Sequence, residues 1–84
     1  MNNVTMYTTS VCPYCRNAKA LLAGKGIKAK EINVEANPER LREMVAKSGR
    51  RSVPQIFIGG RHIGGFDDMA ALERTGRLDA LLGL

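Results

Sequence analysis

The sequence predicts a small α/β fold, a mixed four-stranded sheet with helices on both faces. Three observations predict it. A strand pattern, a helix pattern and a second strand pattern follow one another between Val4 and Val34, and that order implies a right-handed parallel unit. Gln55-Ile56-Phe57-Ile58 and Arg61-His62-Ile63 flank Gly59-Gly60, a two-residue hairpin signature. Helix-period apolar stripes lie before and after that hairpin, so the second half of the chain reads helix, strand, strand, helix.

Each element has a local reason. Val4 to Thr8 alternates β-branched, polar and aromatic residues, as a half-buried strand does. Thr9-Ser10-Val11 is a short loop delivering the chain to Cys12-Pro13-Tyr14-Cys15, which holds both cysteines of the chain. From Pro13 the pattern is helical to about Ala23, with Cys15, Ala18 and Leu22 on one face and Leu21 beside them. Gly24-Lys25-Gly26 stops this helix. Ile27 to Val34 is expected as the second strand, with Ile32 and Val34 facing one way. Asn37-Pro38-Glu39 starts a helix with a cap, an N1 proline and a first-turn acid in the expected places. Its buried stripe is Leu41, Met44, Val45 and Ser48, and Gly49 ends it. A last helix begins near Asp67-Asp68, with Met69 and Leu72 inward, and breaks at Gly76. Leu78, Leu81 and Leu82 mark a short closing helix. This is a thioredoxin-like arrangement.

The spacing of the cysteines carries the chemistry. Three positions apart at a helix start, they lie on neighbouring points of one face, about 5–6 Å between Cβ atoms. A disulfide tolerates a Cα separation of roughly 4.4–6.8 Å, so the pair can open and close without rebuilding the backbone. Pro13 suits the first helical position, where its missing N–H costs nothing. Cys12 then sits beside unpaired N–H groups at the positive end of the helix dipole. Thiolates are stabilised there, with values of about 3.5–7.5 typical. Cys15, one turn in, is expected to be less exposed and less acidic. The pair reads as an attacking and a resolving thiol. Two other readings stand beside it. Half of a zinc site would need four ligands, and the one other soft candidate is the distant His62. Two inert core cysteines would not need a proline between them at a helix start.

Eighty-four residues, 44% apolar and 25% charged, are expected to form one domain spanning 1–84 with a modest core. No apolar run approaches the roughly 20 residues that span a membrane. Met1-Asn2-Asn3 runs into the first strand without a basic segment or a long apolar one, so a cytoplasmic location is expected. In that compartment thiols are kept reduced, and a C-x-x-C is more often catalytic than structural. The net charge of +5 raises nucleic-acid binding as a rival, but the basic residues are scattered, aromatics are 5% and Trp is absent, leaving few stacking platforms. A basic surface attracting acidic thiol substrates is the simpler reading.

Two further motifs complete the pattern. In Arg51-Ser52-Val53-Pro54 the proline opens a strand and pushes Val53 into the extended region, exposing its N–H and C=O to another extended backbone. An edge-strand proline without a role would look the same. Gly64-Gly65-Phe66-Asp67-Asp68 is a glycine turn running into a helix N-terminus, where first-turn N–H groups can bind a carboxylate and an Asp can accept from an ammonium. Together these suit an α-amino-acid head group, although simple capping by Asp would also account for the acids.

Cys-Pro-Tyr-Cys after a first strand, then Ser-Val-Pro, then Gly-Gly-Phe-Asp-Asp resembles glutaredoxin of the dithiol class over essentially the whole chain. The resemblance implies a glutathione-dependent thiol–disulfide oxidoreductase with Cys12 and Cys15 as the catalytic pair. It implies that Pro54 is a cis-proline facing the cysteines and that Val53 pairs its backbone with the cysteinyl part of glutathione. Phe66 N–H and Asp67 would hold the γ-glutamyl end. Tyr14 and Arg51 would line the groove, Arg51 near the glycyl carboxylate. Thr9 stands where members often carry Lys, Ser52 where Thr is usual, and position 66 varies between members. The implied partners are glutathione and glutathionylated or disulfide-containing proteins, with the chain acting as a monomer and neither nucleic acid nor membrane involved. Glutathione is a co-substrate, with no metal and no tightly bound cofactor expected. A redoxin served by thioredoxin reductase, or a glutathione-ligated iron–sulfur carrier, are the alternatives. His62, on the hairpin, reads as a surface residue rather than a catalytic base. The methionines fall at core-like positions or at the start.

Overall fold

Strand β1 (Val4–Thr8) is the centre of the sheet in the computed structural model, which describes residues 2–84. It pairs in parallel with β2 (Lys30–Asn33) and antiparallel with β3 (Gln55–Ile58), and β3 pairs antiparallel with β4 (Arg61–Gly64), giving the order β2-β1-β3-β4. Helix α1 (Pro13–Gly24) connects β1 to β2, α2 (Pro38–Ser48) connects β2 to β3, and α3 (Phe66–Arg74) and α4 (Arg77–Leu82) follow β4. The mixed four-stranded sheet is the one the sequence predicts. Gly59 and Gly60 have φ of +57° and +83°, the left-handed pair that a two-residue hairpin turn requires.

Because strand side chains alternate, the sheet feeds two cores. Val4, Met6, Ile56 and Ile58 pack with Ala18 and Leu22 of α1, Met69 of α3, and Leu78 and Leu82 of α4. On the other face Tyr7 and Phe57 pack with Val34 and with Met44 of α2. Fully burying such aliphatic side chains contributes about 1.5–3 kcal/mol each, so the α2 face, with fewer of them, is the weaker. A polar tether supplements it: Tyr7 Oη donates to Glu43 Oε2 at 2.5 Å. Burial, then the Glu43 carboxylate, pushes the Tyr7 phenol up to about 12. The same bond is the first cause that holds the Glu43 carboxyl below its usual range.

The second strand is shorter than expected. Gly26 is left-handed at φ +76°, and Gly26 N–H donates to Ala23 O while Ile27 N–H donates to Leu22 O at 2.9 Å. That is the paired bonding of a Schellman motif. Ile27 therefore closes α1 and packs beside Leu22 in the α1-side core instead of opening a strand. Val34, just past β2, still donates to Thr8 O at 2.9 Å and is buried on the α2 side. Helix α2 begins at Asn37, whose side chain accepts from Arg40 N–H at 3.4 Å, with Pro38 at the first position, and ends at left-handed Gly49. Among the described residues no helix is long and apolar enough to cross a membrane.

Candidate active site

Cys12 is the N-cap of α1, with an extended backbone at φ −148°, and Pro13 begins the helix. The Cys12 sulfur accepts from Cys15 N–H at 3.1 Å, the place an Asp or Ser oxygen takes in an ordinary cap. No acidic residue lies in the first turn, so nothing offsets the positive end of the helix except the sulfur itself. The two cysteines form a disulfide with Cα atoms 5.2 Å apart. Cys12 is 7% exposed and Cys15 2%, which makes Cys12 the sulfur an incoming thiol reaches first. Exposed Val11 and Tyr14 flank them.

The opposite wall comes from the loop between α2 and β3 and from the start of α3. The Val53–Pro54 peptide is cis, and the Val53 carbonyl oxygen lies 3.9 Å from the Cys12 sulfur. A groove of about 180 Å³ runs along this wall, lined by Tyr14, Arg50, Ser52, Val53, Pro54, Gly65, Phe66, Asp67 and Asp68. The Tyr14 ring stacks on Phe66 with centroids 6.4 Å apart, joining the α1 wall to the α3 wall. The two sulfurs border a second hollow of about 280 Å³ on the α1–β2 side, with Thr9, Arg16 and Lys19. Larger hollows beside Gly26, Ile27 and Lys28 contain no thiol and no histidine.

The start of α3 is finished by a carboxylate. Asp68 Oδ2 accepts from Gly65 N–H at 2.9 Å and from Arg50 at 3.0 Å. Gly65 has no side chain, so only this returning half of a capping box exists. The Gly65 hydrogen bond first, and then Arg50, hold the Asp68 carboxyl below the usual range. Gly64 has φ +120°, and a Cβ there would overlap the Asp68 carboxylate. Glycine is thus required twice over at this position.

Of the residues singled out from the sequence, Tyr14, Val53, Pro54, Phe66 and Asp67 line the groove, Cys12 meets it at the Val53 carbonyl, and Cys15 lies behind Cys12, bonded to it. Arg51 is not among the lining residues; Arg50 is, with its guanidinium engaged by Asp68. Arg51 is exposed and forms no ion pair among the described residues. Asp68 is the returning cap, the capping by Asp that the sequence also allows, and an acid three residues after Gly65 is its signal. His62 is half-buried, not a surface residue: its ring packs 5.0 Å from Phe57 and its Nε2 lies 2.8 Å from Gln55 Oε1. Among the described residues no three His, Cys, Asp or Glu side chains cluster as metal ligands would.

Residues 4–63 match the family model described as Glutaredoxin. Glutaredoxin 3 of Escherichia coli (strain K12) is 51% identical over 82 residues, covering 98% of this chain and 99% of that one. The solution structure of glutaredoxin from Brucella melitensis is 55% identical, with a TM-score of 0.85 over 98% of this chain and 89% of that one. A crystal structure of a buckwheat glutaredoxin–glutathione complex is 29% identical, with a TM-score of 0.89 over 98% of this chain and 77% of that one. The sheet order, the capping sulfur and these likenesses agree: the chain belongs to the glutaredoxin family, with its thioredoxin-like fold and its thiol–disulfide oxidoreductase chemistry.

Proposed function

We propose that this protein reduces glutathionyl mixed disulfides through Cys12 alone and protein disulfides through Cys12 and Cys15 together. The observation that carries the proposal is the Cys12 sulfur at the N-cap of α1, facing the Val53 carbonyl at the end of a narrow groove. In the first route the Cys12 thiolate attacks the glutathione sulfur of a mixed disulfide. The substrate leaves as a thiolate and takes up a proton, and Cys12 is left bonded to glutathione. A second glutathione thiolate attacks the glutathione sulfur of that adduct, giving oxidised glutathione and freeing Cys12. In the second route Cys12 forms a mixed disulfide with the substrate protein, and Cys15 displaces the substrate and closes the Cys12–Cys15 bond. Two glutathione molecules then reopen it.

The groove supports a particular pose for glutathione. The N–H and C=O of Val53 pair with the cysteinyl residue, and Phe66 N–H with Asp67 holds the γ-glutamyl head. Tyr14 and Pro54 border the thiol. Arg51, which has no ion pair among the described residues, takes the glycyl carboxylate from the rim, while Arg50 stays with Asp68. The buckwheat relative was solved in complex with glutathione, which supports the same ligand here. The cycle calls for no tightly bound cofactor and no second subunit, and it suits the reducing cytoplasm.

Magnitudes show where a stabilised thiolate helps. A thiol of pKa about 8.5 is roughly 3% ionised at neutral pH, so lowering it to about 5 gains about 30-fold in thiolate. With a Brønsted slope of about 0.4–0.5 the same change costs roughly 25- to 60-fold in nucleophilicity. Attack gains nothing, but departure of Cys12 improves as its pKa falls. The helix N-terminus therefore speeds mainly the release of Cys12 to the second glutathione.

A coupled assay with glutathione, glutathione reductase, NADPH and a small glutathionyl mixed disulfide tests this reading. Turnover dependent on glutathione is expected. Turnover only when thioredoxin reductase replaces the glutathione system would overturn it.

A further inference from the structure

Gln55 is 0% exposed yet carries a primary amide, and burying one without partners would be costly. Its Nε2 donates to Ser52 O at 3.0 Å and to Ser52 Oγ at 3.3 Å. Its Oε1 lies 2.8 Å from His62 Nε2. Since the Gln55 oxygen can only accept, His62 Nε2 is the donor. The hairpin register sets His62 opposite Phe57, and the two rings pack with centroids 5.0 Å apart. A chain of hydrogen bonds thus runs from β4, through the buried start of β3, to the loop that forms the groove wall.

That chain ends on one particular peptide unit. The Ser52–Val53 bond is trans, so Ser52 C=O and Val53 N–H point in opposite directions from one rigid plane. Drawing Ser52 O inward to Gln55 therefore turns Val53 N–H outward, on the groove side. A carboxamide can rotate by half a turn and exchange its oxygen and nitrogen. In the exchanged state Gln55 Oε1 would face Ser52 O, two acceptors with no proton between them. The exchange is opposed from both ends: Ser52 O needs the amide N–H, and a proton on His62 Nε2 needs the oxygen.

We propose that His62 and Gln55 are positioning residues for the glutathione reaction: His62 anchors the oxygen end of the buried Gln55 amide, whose N–H end holds Ser52 O inward and so aims Val53 N–H into the groove. Neither touches the sulfurs or the ligand. The proposal rests on the reading above in which Val53 N–H pairs with glutathione, and the experiment separates the two.

His62→Phe keeps an aromatic ring against Phe57 and removes the donor, and His62→Gln returns an amide N–H at a similar reach. Gln55→Met removes both halves of the relay with little change in volume. Loss of one hydrogen bond's worth of positioning is expected to raise KM for a glutathionylated peptide about fivefold in His62→Phe and Gln55→Met. kcat should stay within about twofold, and His62→Gln should restore most of KM. The ¹⁵N–¹H resonance of Val53 in the ligand-free reduced protein reads the relay without glutathione. It should move in His62→Phe and return in His62→Gln. Should position 62 not tolerate Phe, Gln55→Met carries the same two measurements. Parental KM and an unmoved Val53 resonance in either variant would overturn the relay, as would His62→Gln behaving like His62→Phe. Adding S-methylglutathione to the parent tests the underlying reading on its own. A silent Val53 amide would remove Val53 from the ligand contacts, while a resonance that still moves in His62→Phe would leave the relay intact.

Discussion

At the N-terminus of α1 the capping atom is the Cys12 sulfur, and no acid stands in the first turn. At the N-terminus of α3 the cap is the Asp68 carboxylate, with Asp67 beside it. Both helices present their positive ends to one site, yet they do different work. A helix end left without a fixed negative charge favours whatever anion can form there, and at α1 that anion is a thiolate. A helix end already carrying two carboxylates has its field largely offset. What it offers a ligand is geometry: backbone N–H groups, and an exposed Asp67 able to accept from an ammonium. The capping residue, more than the helix, decides what a helix N-terminus binds.

The largest effects should come from the α1 end. Cys12→Ser is expected to abolish reduction of both glutathionyl and protein disulfides, since a serine hydroxyl is not appreciably ionised near neutral pH. Cys15→Ser should retain deglutathionylation, or exceed the parent, because the unproductive internal disulfide cannot form. Reduction of a protein disulfide should collapse, and mass spectrometry after exposure to oxidised glutathione should find one adduct, on Cys12. Equal loss of deglutathionylation in both variants would show that the single-thiol route is wrong.

The α3 end should respond through stability. Asp68→Asn weakens the bonds to Gly65 N–H and Arg50, and a lost cap costs typically about 1 kcal/mol; at 45% side-chain exposure the Arg50 part is screened and adds little. The sign of the pH dependence follows from the depressed carboxyl. The folded state holds that proton less tightly than the unfolded state. The contribution is therefore present above the unfolded value of about 3.9 and is lost as pH falls through the folded one. Urea unfolding of parent and Asp68→Asn should differ at pH 7, and the gap should narrow as pH falls below about 3.9. A gap independent of pH would mean that the charge of Asp68 does not matter.

The two ends also differed in how far the sequence revealed them. Around α1, apolar period, N1 proline and cysteine spacing are all local signals, so Cys12, Pro13 and Cys15 were placed from the sequence alone. The hairpin and α2 were as legible, because left-handed glycines and an Asn-Pro-Glu start mark their own positions. Ile27 misled because a β-branched residue after a helix reads as a strand unless the preceding glycine is seen to be left-handed. Around α3 the decisive contacts cross the chain. Which of Arg50 and Arg51 reaches Asp68 depends on the turn after Gly49, and neither neighbour carries a periodic signal. Gln55 and His62 were harder still: a polar residue at a strand edge looks solvated until a partner seven residues away covers it.

The two arginines sharpen the contrast. Arg50→Ala should cost both stability and glutathione use, since it frees Asp68 and the loop at once. Arg51→Ala should leave the unfolding midpoint unchanged and raise KM for glutathione severalfold, the screened counterpart of a charged hydrogen bond worth about 1.5–3 kcal/mol when well formed. Steady-state kinetics on both variants, with denaturation curves alongside, would check this. An Arg51→Ala protein with parental kcat/KM would leave the glycyl carboxylate without an arginine partner at that position.

The smallest effect tests the comparison most directly, by making the α1 end resemble the α3 end. Arg16 lies one turn into α1, is exposed, and lines the hollow that holds both sulfurs. It forms no ion pair among the described residues. Arg16→Glu replaces a cation near the Cys12 sulfur with a fixed anion of the kind found at α3. Charges at this distance from a helix N-terminus are typically worth about 0.3–1 kcal/mol at low salt. The alkylation of reduced Cys12 by iodoacetamide should therefore reach half its maximum rate at a higher pH than in the parent. Release of Cys12 to glutathione should slow by about two- to fivefold, because a less stabilised thiolate is a poorer leaving group. Raising the salt toward 1 M, where the screening length falls to about 3 Å, should shrink both differences. An alkylation profile that Arg16→Glu does not move at low salt would mean that backbone N–H groups alone set the field at α1. The absence of first-turn acids would then be incidental to the thiolate.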